Sequence, residues 1–409
     1  MGASYDVVVL GGGIAGSGSA TVLARAGLSV CVVEPTTEYP DIVRGEWLAP
    51  WGGGHARALG LYDHLAAAGG HDIARHVGYD ENIDPAEAAA GALAFAELLP
   101  DLPEPLALRH PVACQALVDA AVDAGATVHR GASDIELGGD RVVRFAADGE
   151  AMELTGRMVV GADGRTSRVR RAIGIELDKY EASHFLGGVL VDGLGFLGDD
   201  AVQYTGTEGG IHALCFPQGD GRARLYIAYG DDDRERFAGA DRGRAYLDAF
   251  VMACWPGSDQ FPEATMAGPA KAYRSVDTWC ARPFAEGVVL VGDAAGHNDP
   301  IIGQGLSIAM ADVHGVSDAL LGADDWSPGL FEDYGRERLE RMRRLRAVAQ
   351  IYALVIGGQS WARDPAARRE RRADAIAEML VATNVVGPAV FPDDMYREDT
   401  IERLVAAPA

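Results

Sequence analysis

The chain has 409 residues, 48% hydrophobic and 23% charged, with 52 glycines and 19 prolines, a globular composition that excludes disordered and fibrous classes. Its 60 acidic residues against 36 basic ones leave a net charge of −24, which argues against nucleic acid, because binding to a phosphate backbone needs Lys and Arg to displace counterions. No apolar run approaches the ~20 residues of a membrane-spanning helix; Cys31, Cys114, Cys215, Cys254 and Cys280 show neither paired spacing nor CxxC, which argues against a disulfide framework or a metal site. The opening MGASYDVVVL lacks the basic region and longer apolar stretch of a secretory leader, so a cytoplasmic location is expected.

Residues 5–10 (YDVVVL) are nearly all apolar, as in a strand buried on both faces of a parallel sheet. Gly11 to Gly16 follow, then a helix through Arg25 that stops at Gly27, then a second buried strand at 28–33 ending at Glu34. This βαβ unit carries G-x-G-x-x-G as Gly11, Gly13 and Gly16: the first glycine makes the tight turn, the second admits a pyrophosphate, and the third lets helix and strand pack closely. Phosphates would rest on the helix N-terminus at Ile14 and Ala15, and Glu34 would accept from a ribose. A second match at Gly193, Gly195 and Gly198 leads into a strand rather than a helix and reads as a turn.

Farther on, a helix is expected at 111–124, just after Arg109. Apolar residues 158–160 lead to Gly161-Ala162-Asp163-Gly164, and 288–291 to Gly292-Asp293. In open α/β sheets ligands lie beyond the carboxyl ends of strands, so Glu34, Asp163 and Asp293 point to one polar ligand. Between these motifs, runs at 185–191, 201–205, 211–216 and 224–229 separated by short turns read as an antiparallel meander, an inserted second domain. From Gly305 the chain reads as mostly helical, up to a polar tail near 387–396. The six arginines from Arg336 to Arg346 are expected to be a solvated helix face pairing with surplus acids.

Residues 161–170 (GADGRTSRVR), and GDAA at 292–295 followed by Pro300, Gly303, Gln304, Gly305 and Leu306, resemble the two later signatures of the flavoprotein monooxygenases built like p-hydroxybenzoate hydroxylase. The resemblance covers roughly residues 1–345. It implies an α/β fold: a Rossmann-like FAD-binding domain (1–75, 106–178 and 275–325), an inserted antiparallel β-sheet substrate domain (76–105 and 179–274), and a C-terminal helical region (326–409). The implied chemistry is reduction of FAD by NADPH or NADH, after which dioxygen supplies one oxygen atom to a small-molecule substrate; a homodimer is compatible with it. Asp293 is suited to a ribityl hydroxyl, Pro300 to backbone lying flat against a flavin, and Gly303, Gly305 and Leu306 to a helix N-terminus facing the flavin pyrimidine edge. Arg44 and Arg109 match family arginines near the flavin and the pyrophosphate, against the alternative of surface ion pairs.

The chain departs from the family at Gly296, where many relatives have histidine; here the histidine is His297, and Ser307 replaces an Asn. His297 is a candidate acid or base, or a structural residue. His212, on the strand where related halogenases carry WxWxIP, is a second catalytic candidate, and with Tyr204, Tyr226 and Trp47 a candidate pocket residue. Lys179 and Lys271 are the only lysines and neither lies where halogenases carry theirs, so halogenation is disfavoured. The prenyl-reductase pattern YxWxFP is matched only at Phe216-Pro217. A two-component monooxygenase fed by a flavin reductase remains the other alternative.

Overall fold

The computed structural model describes residues 2–198 and 201–355, and beyond them 366, 387, 388, 393–397 and 399. The expected helical continuation and polar tail otherwise lie outside the described residues.

β1 (Ala3–Leu10), α1 (Ile14–Arg25) and β2 (Val30–Glu34) form the expected βαβ unit. β1 is central: Val7, Val8 and Val9 stand opposite Val30, Cys31 and Val32 on one side and Met158, Val159 and Val160 on the other, all parallel. Thr127–Arg130 extends the sheet beyond β2, and Val288–Leu290 extends it beyond Glu150–Gly161. β-branched side chains buried on both faces make this arrangement favourable. It brings Leu10, Gly161 and Leu290 side by side at the carboxyl ends of their strands. The strand expected at 158–160 is longer than the apolar run, because Glu150–Gly161 begins as one arm of a hairpin with Val142–Ala147. Its turn, Asp148-Gly149, has φ of +51° and +80°, the left-handed pair that closes tight hairpins.

The second sheet contains the whole expected meander. Asp178–Asp192, Ala223–Gly230, Ile211–Pro217 and Val202–Glu208 pair antiparallel in that order, and Arg75–Asp80 joins parallel to the last. Lys271–Trp279 pairs with Asp178–Asp192, so this sheet reaches past the boundary drawn at 274. One face packs on helix Arg242–Ala249 through Val189, Ile227, Tyr246, Trp255 and Phe261. The opposite face carries Leu186, Leu214, Phe216 and Tyr226 toward Trp47, Ile301 and Ile302 of the first domain.

Helix Gly305–Leu321 packs on α1 within the first core, and helix Glu332–Val355 lies across both domains. The expectation of a solvated arginine face on the latter is corrected. Arg338 and Arg341 are 1% and 5% exposed and share Asp312, which is 0% exposed. Arg343 and Arg344 do pair with Glu340. A repeat of arginines does not reveal which side of a helix meets a buried acid from another element. Among the described residues no helix is long and apolar enough to cross a membrane.

Candidate functional site

The loop after β1 is shaped by what glycine lacks. At Gly11, φ +105°, a Cβ would lie 2.4 Å from the Ala162 carbonyl oxygen, and at Gly16 it would lie 1.9 Å from the Gly11 carbonyl oxygen. These two glycines allow the turn, the helix and the neighbouring strand end to press together. Gly13 differs, because nothing lies within 4 Å of its would-be Cβ. It precedes α1 without a side-chain cap, so the positive end of the helix dipole borders this open space, with the Ile14 N–H also in reach of the buried Cys114 sulfur. Buried Glu34 closes one side, accepting from the Gly12 N–H at 2.5 Å and the Thr36 N–H at 2.7 Å. A carboxylate has about four lone-pair sites, so acceptor capacity for ribose hydroxyls remains. Tyr39 donates to the Gly12 carbonyl, and the Arg130 guanidinium lies 4.9 Å from the Tyr39 ring centroid.

The later motifs arrive at the same strand ends with different duties. Asp163 accepts from the Ser167 hydroxyl at 2.5 Å and from the Arg168 and Val169 N–H groups at 2.6 and 3.2 Å. Expected to contact the cofactor, Asp163 also holds the first two amides of the short helix Arg168–Ala172, whose third amide bonds Ser167 Oγ, and so shapes the Ala162 segment against Gly11. Asp293 lies in the single turn Gly292–Ala295 with its side chain 32% exposed and faces Arg165 at 3.2 Å. Pro300 opens the turn Pro300–Ile302, where Asp299 accepts from the Ile301 N–H at 3.0 Å. Gly303 is left-handed at φ +65°, with Trp47 3.8 Å from its would-be Cβ. Helix Gly305–Leu321 then starts with no side-chain cap and nothing within 4 Å of a Cβ at Gly305. Its first amides, at Gly305 and Leu306, form a second open helix N-terminus.

Arg44 and Arg109 belong to the connection between the domains. Arg44 is exposed and its carbonyl accepts from the Tyr226 hydroxyl. Arg109 donates to Asp41 at 2.6 Å, and its Nε is buried without a partner among the described residues. The fully buried Arg224 bridges Asp41 at 2.9 Å and Glu46 at 3.0 Å, while Glu46 also accepts from the His110 N–H and Gln218 Nε2. Burial, with Arg44 next, lowers the His110 imidazole to about 4, opposed by Asp293. Arg44 and Asp293 thus both act on the charge of His110, the first residue of helix His110–Asp123. Nothing in the sequence marked His110 or Arg224, and although Arg165 lies in the 161–170 motif its pairing with Asp293, distant in the chain, is not legible there.

On the second sheet, strand alternation sorts the candidate pocket residues. His212 and Tyr226 face the first domain with Trp47, whereas Tyr204 lies on the other face, stacked on Tyr79 at 6.4 Å and next to Trp255 at 5.8 Å. Tyr204 is therefore no pocket residue, because neighbours two apart along a strand share a face. His212 shares a 2.9 Å hydrogen bond with Thr207 Oγ1, and its Nε2 is buried without a partner among the described residues. Burial lowers its imidazole to about 3. His297 is tied to Thr278: Nδ1 lies 2.8 Å from Oγ1, the His297 N–H donates to that oxygen, and the Thr278 N–H donates to the His297 carbonyl at 2.7 Å. Burial, then Arg165, lowers His297 to about 4. Those bonds fasten the end of the Asp293 turn to the second sheet, which is the structural role that the sequence offered beside that of an acid or base.

Two uncapped helix N-termini facing open space, a buried carboxylate at the tip of β2 and a glycine that leaves its surroundings empty suit a long anionic dinucleotide. When bound, FAD supplies electron transfer and the activation of dioxygen. Residues 4–349 match the family model described as "FAD binding domain". Digeranylgeranylglycerophospholipid reductase 1 of Methanococcoides burtonii is 27% identical over 334 residues, 75% of this chain and 72% of that protein. Rifampicin monooxygenase of Streptomyces venezuelae is 28% identical over 386 residues, 87% of this chain and 73% of that protein. In fold, the structure is similar to p-nitrophenol 4-monooxygenase from Pseudomonas putida, with TM-score 0.75, 20% identity and full coverage of both chains. The chain belongs to the FAD-binding domain family and is an FAD-dependent oxidoreductase of the p-hydroxybenzoate hydroxylase-like flavoprotein monooxygenases.

Proposed function

We propose that this protein is a single-component monooxygenase that uses NADPH or NADH and dioxygen to hydroxylate or epoxidise a small polar molecule in natural-product metabolism. In this reading Gly11, Gly13, Ile14, Ala15 and Gly16 bind the pyrophosphate with Arg109, Glu34 holds the ribose, and Asp293 holds the ribityl chain. Arg44, Pro300, Gly303, Gly305 and Leu306 border the flavin. Asp163 acts through the loop it caps.

The observation that carries the choice of substrate is the buried polar row on the sheet face turned to the first domain: Gln203, Thr205, Thr207 and His212. Leaving a buried nitrogen such as His212 Nε2 without a partner costs about 1–3 kcal/mol, and a substrate hydroxyl or carbonyl would offset that. A polyprenyl chain would not, so the polar row favours oxygenation over the prenyl reduction named for the archaeal relative. Because burial keeps His212 neutral, it orients substrate as a hydrogen-bond donor or acceptor. The similarity to rifampicin monooxygenase supports a tailoring role. A cytoplasmic location fits five cysteines that are all buried and free.

Purified, FAD-loaded protein mixed anaerobically with NADPH or NADH tests the reading. Bleaching of the flavin without a reductase is expected; turnover only after a flavin reductase is added assigns the two-component alternative. Under labelled dioxygen, a panel of phenols and polyketides should give a product with one labelled oxygen. A label-free, hydrogenated product from a prenyl lipid would overturn the proposal.

A further inference from the structure

We propose that Arg338 and Asp312 are positioning residues for cofactor binding, holding the turn at 292–296 in the shape that presents Asp293 before any ligand arrives. The inference rests on the reading that this turn binds FAD.

Arg338 reaches the turn from behind, out of helix Glu332–Val355. Its Nη1 donates to the Ala295 carbonyl at 2.9 Å, and Nη2 to the carbonyls of Gly292 at 3.2 Å and Gly296 at 2.9 Å. The remaining carbonyl on that side, Ala294, accepts from Arg170 Nη1 at 2.8 Å. Asp312, on helix Gly305–Leu321, accepts from Arg338 Nε at 3.0 Å and from the Gly292 N–H at 2.8 Å, so it fixes both the guanidinium and the first amide of the turn. Arg341 also binds Asp312, at 2.8 Å. Tyr334, one helical turn before Arg338, donates to the carbonyl of Leu290 at 2.8 Å, in the strand that leads into the turn.

Burying a guanidinium is costly unless it is paired and hydrogen-bonded, and an apolar side chain often serves stability as well. This one aims charge-assisted donors at three carbonyls of one turn. Gly292 at φ +59° and Gly296 at φ +114° hold conformations that L side chains avoid, and loops in such conformations persist when their surroundings over-determine them. With the carbonyls drawn back, the Asp293 carboxylate is left on the open side, where Arg165 meets it. A turn ordered in advance costs less to order on binding.

Apoprotein variants Arg338→Lys and Asp312→Asn are titrated with FAD by quenching of flavin fluorescence, beside Asp293→Ala and the control Arg336→Lys, which lies on the same helix but is exposed and paired with Asp333. Hydrogen exchange is followed at the Gly292 and Gly296 amides of wild-type apoprotein, which the structure shows bonded to Asp312 and to the Asp293 carbonyl. Both positioning variants should bind FAD at least tenfold more weakly while the control stays within threefold, and both amides should be protected without FAD. Unchanged affinity in Arg338→Lys and Asp312→Asn overturns the proposal. So do unprotected amides in the wild-type apoprotein, a result that stands even where a variant does not fold. Normal FAD affinity in Asp293→Ala sinks instead the reading that this turn binds the cofactor.

Discussion

Replacing Gly13 by Ala separates the folding role of the glycine loop from its binding role. Gly13 has φ −76° and ψ −165°, which alanine adopts without strain, and its Cβ would enter empty space. Alanine is a poor residue at a helix N-cap, costing about 1 kcal/mol, and roughly half of that returns because alanine restricts the unfolded chain. The apoprotein melting temperature should therefore fall by no more than about 2–4 °C. The added methyl stands where a pyrophosphate would cross the first amides of α1. Charge-assisted hydrogen bonds are worth about 1.5–3 kcal/mol each, so loss of one weakens FAD about ten- to hundredfold at 1.4 kcal/mol per decade. Gly16→Ala behaves oppositely: its Cβ would lie 1.9 Å from the Gly11 carbonyl oxygen, backbone that cannot yield cheaply, and overpacking of that kind costs about 1–3 kcal/mol or more. Differential scanning fluorimetry of apoprotein and FAD titration report the two effects separately. FAD binding by Gly13→Ala within threefold of wild type, with an unchanged melting temperature, refutes the path of the pyrophosphate over Gly13.

Asp293→Ala should be isolated largely without flavin, read from the absorbance ratio of visible to ultraviolet bands; full yellow occupancy contradicts the assignment. Burial, then the neighbouring Asp299, raises the Asp277 carboxyl to about 7. A folded value above the unfolded one means a stability contribution present below about pH 4 and lost as pH rises through about 7, by up to roughly 1.4 kcal/mol per pH unit. Asp277→Asn should thus melt higher than wild type at pH 8 with a smaller gain at pH 5, and an equal gain at both would exclude ionisation as the cause. His297→Gln should retain turnover within about tenfold, since a positioned acid or base is worth ~10²–10⁴-fold; a larger loss restores the catalytic reading. Tyr204→Phe should leave substrate KM unchanged while His212→Phe raises it, measured on whichever panel compound stimulates NAD(P)H oxidation, and the reverse pattern means the sheet faces are assigned wrongly.

The sequence by itself determined the features that are local in the chain. A short valine-rich strand, a glycine turn and a helix that stops before Gly27 mark a βαβ unit, and the meander strands lie at their expected places, although the first begins at Asp178 rather than 185. Gly11, Gly13 and Gly16 could be given separate duties because backbone sterics depend on short-range geometry. Which face a side chain takes, and which distant group meets it, was decided only by the tertiary structure. Tyr204 and His212 are equally plausible pocket residues until strand register places them on opposite faces. That Asp163 also accepts from Ser167 and two amides is visible only in the fold. Arg338 is one of six arginines in a run until the burial of Asp312, 26 residues away in the chain, selects it. The free energy of a buried charge depends on partners that folding brings together, and no periodicity in the sequence encodes those pairings.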